Sequence, residues 1–484
     1  MMRPFTAPRP ASYAPMPKPI RARHSATAEL PAGPRGFPGS LTLRFWRDTP
    51  AFLLDLHRTY GDTASFFLNG ELFIAFFGAD GVLDVTVRKQ NSFVKGVGFD
   101  RMRKVLGTGL LTNEEPIHLR HRRMMQPPFH HEKLGDYATL MHRITRDHLA
   151  GWSEGQNVQA NREMMRLTFQ IVAQLLFGTE IDRYAEGVQH HMGLAIDRIE
   201  RTMLPGMRVF DRSLIPYFRK FEESSDYLAD VADDIIARRV AGAEAGAELG
   251  DDLLGLLLAA RDEDDSALSH DEVRDETLTL ILSGHETTAN VMTWALCFLR
   301  DRADLWEALA DEAERLLPFG GELDVRAILS APTAKGVMAE SLRLAPPVWV
   351  APRRAIDDVE IAGVRVPKGA HVLVSQYASH RSAMYFDDPD TFRPERWQGD
   401  FEASLPRGAY FPFGAGTRKC LGDQFALLES HIVLMELART ARPVPVSPGL
   451  PKAQPRATFR PAGGVPSVVR RGPSAGSQRS GPRA

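Results

Sequence analysis

The stretch Phe411-Pro-Phe-Gly-Ala-Gly-Thr-Arg-Lys-Cys420-Leu-Gly422 gathers the chemistry of this chain around one thiol. Glycines on both sides of the cysteine free the backbone to turn tightly and to approach a flat group closely. Arg418, two residues before the thiol, is placed to neutralise an acidic group. The run from Phe425 to Leu437 reads as an amphipathic helix whose N-terminal amides and dipole favour a thiolate at Cys420. The other cysteine of the chain is Cys297. Two cysteines exclude a disulfide scaffold, a four-cysteine zinc site and a protein-held iron–sulfur cluster. Cysteine chemistry here is that of a single thiol.

Three other groupings carry reactive side chains. Leu282-Ser-Gly-His-Glu-Thr-Thr-Ala289 puts Ser, Gly, Glu and two Thr at the centre of a long apolar helix, where such residues need a reason. Glu340-Ser-Leu-Arg343 sets a carboxylate and a guanidinium one helical turn apart, a pairing that by itself is most often a surface salt bridge. A second arginine follows in Phe392-Arg-Pro-Glu-Arg396-Trp397. His118 and Arg122 fall four residues apart on one helix face in His-Leu-Arg-His-Arg-Arg123.

The elements that position these groups are mostly helical. Ser269-His-Asp-Glu272 is a capping box, and the apolar pattern behind it runs without proline to Asp301, a helix of about 48 Å. Residues 143–178 and 221–241 repeat near the helical period. Strand signals come later: Val359–Val366 alternates around a glycine, and Pro367-Lys-Gly turns into Val372-Leu-Val374. The expected fold class is mainly α with small β sheets. Residues 1–40 hold nine prolines and six Lys/Arg against one acid, Glu29, and read as a flexible leader. Residues 470–484 read as a disordered basic tail, leaving 41–469 as the folded body. At 43% hydrophobic and 25% charged the composition is globular, and a net charge of −2 gives no electrostatic case for nucleic acid. No apolar run reaches the roughly 20 residues of a membrane span, so a cytoplasmic protein is expected.

Phe413, Gly416, Arg418, Cys420 and Gly422 fill the pattern F-x-x-G-x-R-x-C-x-G, and on these residues the sequence resembles the cytochrome P-450 superfamily, from about Pro38 to Pro466. The resemblance implies a single large helical domain with a β-rich lobe, and haem b as cofactor. Cys420 becomes the axial ligand to haem iron, with Arg418, Arg353 and the pair His118 and Arg122 on the propionates. Glu340, Arg343 and Arg396 resemble the family's buried structural triad. Ser283-Gly-His-Glu-Thr-Thr288 resembles its oxygen-binding motif, with Ser283 a departure at the first position, Gly284 giving room, and Glu286 and Thr287 as the acid–alcohol pair for proton delivery. Cys297 matches no motif and is expected in the core.

The activity implied is O2 activation and hydroxylation of a hydrophobic small molecule by a monooxygenase. Electrons come indirectly from NAD(P)H through a separate ferredoxin and ferredoxin reductase, with Arg407, Lys419 and Arg123 as docking candidates. A monomer without a transmembrane anchor is expected. Val348, Trp349 and Val350, the Phe93–Phe99 loop and the Met203–Phe218 segment are candidate pocket walls, with His285 the polar group beside the oxygen site. Tyr410-Phe-Pro-Phe-Gly, Phe425-Ala-Leu-Leu-Glu429 and Thr458-Phe-Arg-Pro resemble bacterial members that hydroxylate carotenoids and other terpenoids. The alternatives are a peroxide-driven fatty-acid peroxygenase and a non-catalytic haem-thiolate sensor.

Overall fold

The computed structural model describes residues 30–472 apart from 35, 37–38, 97, 131, 179–182 and 203–215. Its centre is the helix His270–Phe298, 29 residues and so about 44 Å long. The expected capping box closes its start: Ser269 Oγ accepts from Glu272 N, and the Glu272 carboxylate takes the Ser269 amide. Helices Leu134–Ala150, Ala160–Phe177, Pro332–Leu344 and Asp423–Arg439 contribute to the main apolar core with it. Cys297 is 6% exposed within that core, and burial pushes its thiol up to about 12.

The β-rich lobe is a five-stranded sheet in the order Thr63–Leu68, Glu71–Phe76, His371–Val374, Ala351–Ala355, Phe93–Lys95. Glu71–Phe76 and His371–Val374 run parallel and the other pairs antiparallel. A second sheet joins Asn157–Gln159, Pro466–Arg471 and Ala441–Pro445, and Ala453–Pro455 with Phe459–Pro461 forms a separate hairpin. Among the described residues no helix is long and apolar enough to cross a membrane.

Four boundaries differ from the sequence expectation, each for a local reason. Residues 143–178 are not one helix: the chain turns between Gly151 and Gly155, which sits at φ 77°, and adds the short strand Asn157–Gln159. Val359–Val366 is a hairpin, because Ala362 and Gly363 both take positive φ and reverse the chain. The end of the Pro-rich leader is docked: Ser65 N donates to Ala32 O at 3.3 Å and Ser65 Oγ to Pro31 O at 2.6 Å, and a helix already starts at Ser40. The C-terminal strand runs through Arg471, whose register partner is Ala441, so residues 470 and 471 belong to the folded body. Residues 1–29 and 473–484 lie outside the described residues.

Candidate active site

The loop that carries Cys420 is held from both ends of its own sequence and from outside. Cys420 N donates to Phe413 O at 2.8 Å, and Gly414 N to Phe411 O at 2.9 Å. Thr417 N and Oγ1 both donate to Gln90 Oε1, at 3.0 and 2.9 Å. Gly416 adopts φ 73°, and a Cβ there would fall 1.9 Å from Thr86 O. Its glycine is thus required by the neighbouring backbone and by its own dihedral. Gly422 caps the start of the helix Asp423–Arg439, and its amide hydrogen-bonds the Cys420 sulfur. Desolvation nevertheless pushes the thiol of this exposed cysteine up to about 11, so the helix terminus alone does not produce the expected thiolate. A bound metal cation would.

Behind this loop stands the triad. Glu340 and Arg343 are both fully buried and form a two-pronged pair, Arg343 Nε to Glu340 Oε2 at 2.8 Å and Nη2 to Oε1 at 2.7 Å. Arg396 Nε reaches Glu340 Oε1 at 3.2 Å. Two donors that the motif does not announce complete it: Trp397 Nε1 at 2.8 Å and the Arg393 amide at 2.9 Å. His380 links the triad to the thiol loop, since its carbonyl accepts from Arg343 Nη1 at 3.0 Å and its Nε2 accepts from Phe411 N at 2.9 Å. Burial and the nearby Arg343 and Arg381 hold His380 neutral, as an acceptor must be.

Cys420 faces a cavity of about 1540 Å³, beyond the roughly 300–1,000 Å³ of an ordinary small-molecule pocket. Phe413, Gly422, Glu286, Thr287 and the run from Val348 to Arg353 line it too. Trp349 is 9% exposed and tied by Nε1 to Arg456 O at 3.0 Å, which makes it a fixed wall, whereas Val348 is 43% exposed. Of the Phe93–Phe99 stretch, Lys95, Gly98 and Phe99 reach the cavity, while Phe93 is buried in the sheet. The wall extends to elements that the sequence did not suggest, Phe45 and Trp46 from the first helix and the Lys452–Thr458 hairpin. Residues 203–215 of the Met203–Phe218 segment lie outside the described residues; a helix starts at Pro216.

One side of this cavity is a cluster of cations. Lys95, His118, Arg122, Arg353 and Arg418 all line it. Arg418 Nη2 pairs with Glu114, yet its Nη1 is buried without a partner. Arg122 donates to Lys419 O at 2.7 Å and Arg353 to Pro352 O at 3.0 Å, neutral acceptors that leave both charges uncompensated. Burial, helped by Arg418, pushes Arg353 down to about 10, and Lys95 is lowered strongly by the same causes. His118 is lowered to about 3 by burial and by Lys95, Arg418 and Arg122, and it contacts Glu115 through Nδ1 at 3.0 Å. Lys95, Arg122, Arg353 and Arg418 against one carboxylate, Glu114, is a site short of anions. Two carboxylates placed here would relieve every one of those shifts, and a single thiol lies in the same cavity. These residues fit a haem.

The oxygen-motif residues are brought to the cavity with different partners from those expected. Ser283 Oγ, Thr287 Oγ1 and Thr288 Oγ1 each bond back to the carbonyl four residues earlier, at 2.6, 2.8 and 3.1 Å. Glu286 is 4% exposed and does not bond Thr287; its Oε1 accepts from Thr458 Oγ1 at 2.6 Å. Burial raises its carboxyl, with Thr458 and Arg460 opposing. A Cβ on Gly284 would fall 2.9 Å from Val172 Cγ2, so close helix packing requires this glycine, which also lines the cavity. His285 is 3% exposed, bonds Ile281 O at 2.7 Å and packs edge-on to Phe169, and it does not line the cavity. Thr458, a residue the sequence offered only within a resemblance, adds its hydroxyl to the polar groups Ser283, Glu286 and Thr287 on this wall.

Comparison with known proteins agrees with this geometry. The family model for Cytochrome P450 matches residues 31–442. The chain is 32% identical over 433 residues to the cyclooctat-9-en-7-ol 5-monooxygenase of Streptomyces melanosporofaciens, covering 88% of this chain and 93% of that protein. It is 31% identical to the pentalenene oxygenase of Streptomyces avermitilis, over 70% and 74% of the two chains. Among solved structures, the haem domain of cytochrome P450DA superposes with TM-score 0.81 at 22% identity, covering 92% and 98% of the chains. Retinoic acid bound cyanobacterial CYP120A1 superposes with TM-score 0.79 at 26% identity, over 91% and 99%.

Proposed function

Because the chain belongs to the cytochrome P450 family, we propose that it hydroxylates a terpenoid-type hydrophobic substrate, using O2 and electrons from a separate ferredoxin-type partner. The balance is RH + O2 + 2e⁻ + 2H⁺ → ROH + H2O, with both electrons drawn from NAD(P)H through that partner. The observation that carries this reading is one apolar-walled cavity bounded by Cys420, by the cations Lys95, Arg122, Arg353 and Arg418 and by Glu286 and Thr287. Two relatives whose names specify terpenoid oxidation add support for the substrate class.

Haem bound here supplies a thiolate-ligated iron at which dioxygen is reduced and cleaved. Cys420 would ligate the iron, and Arg418, Arg353, Arg122 and Lys95 would hold the propionates, with His118 beside them. Trp349, fixed by its bond to Arg456, and Val348, Val350 and Phe99 exclude water and orient the apolar substrate. Glu286, buried yet at the cavity wall, takes up and releases protons, and the Thr287 hydroxyl presents a donor to the cavity when it leaves Ser283 O.

The docking candidates separate. Lys419 pairs with Asp423 at 2.5 Å and Arg123 with Asp262 at 3.0 Å, while Arg407 is exposed and has no ion pair among the described residues. Arg407 is therefore the most available of the three to an acidic partner.

The test is the reduced carbon-monoxide difference spectrum of wild type and Cys420→Ala, followed by binding spectra with terpenoids and fatty acids. The thiolate-type Soret shift is expected in wild type and not in the variant, with a spin-state change on terpenoid binding. Without that Soret shift in wild type the haem-thiolate assignment fails. A response to fatty acids alone, with turnover on hydrogen peroxide, identifies the peroxygenase. A thiolate spectrum without turnover identifies a sensor.

A further inference from the structure

Glu286 is a buried carboxyl on the long helix, and the hairpin Ala453–Pro461 supplies what holds it. Thr458 Oγ1 is 2.6 Å from Glu286 Oε1, across 172 residues of sequence. Asn290, one turn after Glu286 on the same helix, donates from Nδ2 to Thr458 Oγ1 at 3.0 Å. All three residues are buried, at 4%, 7% and 5% exposure for Glu286, Thr458 and Asn290. A threonine hydroxyl has a single proton to donate. With Asn290 occupying a lone pair, that proton is committed to Glu286. The result is a directed chain from amide to hydroxyl to carboxylate, in which each bond strengthens the next.

We infer that Thr458 is a positioning residue for proton delivery: it fixes the Glu286 carboxyl at the cavity wall in a form able to accept and pass on a proton. This rests on the reading of Glu286 as the proton carrier. Thr458 itself lines the cavity, so the anchor and the carboxyl meet the same space. The charged group acting on Glu286 is Arg460, two residues further along the hairpin, which favours the anion as Thr458 does; burial acts against both. His285, the neighbouring titratable group on the helix, spends Nδ1 on Ile281 O and is held neutral by burial. Removing the hydroxyl leaves burial with less opposition, so the carboxyl binds its proton more tightly and loses its fixed direction.

The experiment compares wild type, Thr458→Val, Thr458→Ser and Glu286→Gln, all as haem-loaded protein. The first readout is the infrared carbonyl band of the protonated buried carboxyl, assigned by its loss in Glu286→Gln, followed against pH. The second is the share of NADPH electrons recovered as hydrogen peroxide, with ferredoxin, its reductase and pentalenene as the probe substrate. Thr458→Val should raise the midpoint of the band by about one pH unit, a tenfold gain in proton affinity, and at least double the peroxide share. Thr458→Ser, which keeps the donor, should match wild type in both. If Thr458→Val does not take up haem, Thr458→Ala is read in the same way. An unmoved midpoint and peroxide share in the Thr458 variant, beside an uncoupled Glu286→Gln, overturns the role of Thr458. No rise in peroxide with Glu286→Gln overturns the reading of Glu286, and the inference falls with it.

Discussion

Glu340 offers the sharpest test of what holds the thiol loop in place. Its two oxygens take five donors: Arg343 Nε and Nη2, Arg396 Nε, Trp397 Nε1 and the Arg393 amide. Glu340→Ala deprives all five at once. Arg343 keeps the carbonyls of His380 and Thr391 at 3.0 and 3.1 Å, but its fully buried charge loses its counter-charge. Breaking a buried ion pair from one side costs about 3–5 kcal/mol. Domain stability is about 5–15 kcal/mol, so the loss is a large fraction of the whole. Trp397→Phe keeps the ring packing and removes one donor to a carboxylate, worth about 1.5–3 kcal/mol. The expected order is therefore wild type, Trp397→Phe, then Glu340→Ala. Urea unfolding of the haem-loaded proteins, followed in parallel by far-ultraviolet circular dichroism and by the Soret band, gives that order as midpoints. Because Arg343, His380 and Phe411 form one chain of bonds to the loop, the Soret transition should precede the dichroism transition in Glu340→Ala. A Glu340→Ala protein with the wild-type midpoint and full haem content would refute this account.

Three further outcomes follow from the geometry. His121 lies between Glu272 and Glu276 at 3.1 and 2.6 Å; burial opposes its charge, and these bonds outweigh it, raising the imidazole to about 9 from 6.5. Since the folded value is the higher one, the stabilisation is complete below pH 6.5 and lost as pH rises through 9. It amounts to about 3 kcal/mol, counted once for the pair. Urea midpoints between pH 7 and 10 should fall in wild type and stay flatter in His121→Phe; equal slopes would refute it. Gly284→Ala puts a Cβ 2.9 Å from Val172 Cγ2, an overpacking cost of about 1–3 kcal/mol that Val172→Ala should largely relieve in the double variant's thermal midpoint. Arg407→Glu should slow reduction by ferredoxin at low salt more than Lys419→Glu does, because Lys419 is already paired with Asp423. Equal rate constants by stopped flow would remove Arg407 from the docking surface.

Local signals in the sequence were reliable where one element settles the outcome. The Ser269 capping box and the proline-free apolar run locate the long helix, and the spacing of Glu340 and Arg343 gives their pairing. What the sequence hid are contacts between segments far apart in the chain. Thr458 meets Glu286 across 172 residues and Gln90 holds Thr417 across 327, and no periodicity encodes either. Helical position also separates neighbours: Glu286 and Thr287 are adjacent, yet successive residues on a helix point about 100° apart, so one finds the hairpin while the other bonds back to Ser283. His285 shows the same geometry, turning into the contact with Phe169 and away from the cavity. The hairpin at Ala362 was missed because alanine seldom adopts positive φ, and only the following glycine marks the turn.

A net charge of −2 conceals the strongest electrostatic feature of the molecule. Exposed arginines such as Arg44 and Arg58 are matched by nearby acids, and such pairs contribute little. The cavity cluster is different, because Lys95, Arg122, Arg353 and Arg418 line one cavity in partly or fully buried positions and only Arg418 among them has an ion pair, with Glu114, among the described residues. Left without anions, these groups repel one another in a medium that screens poorly. A bound dianion, as proposed, would reverse the sign of that cost. If haem binds as proposed, the same residues would favour one orientation, propionates toward the cations and iron toward Cys420. Glu114 limits the excess: it ties Arg418 by one nitrogen and leaves Nη1 for the incoming carboxylate. Under the proposed reading, charge balance favours a ligand that carries two carboxylates in this cavity.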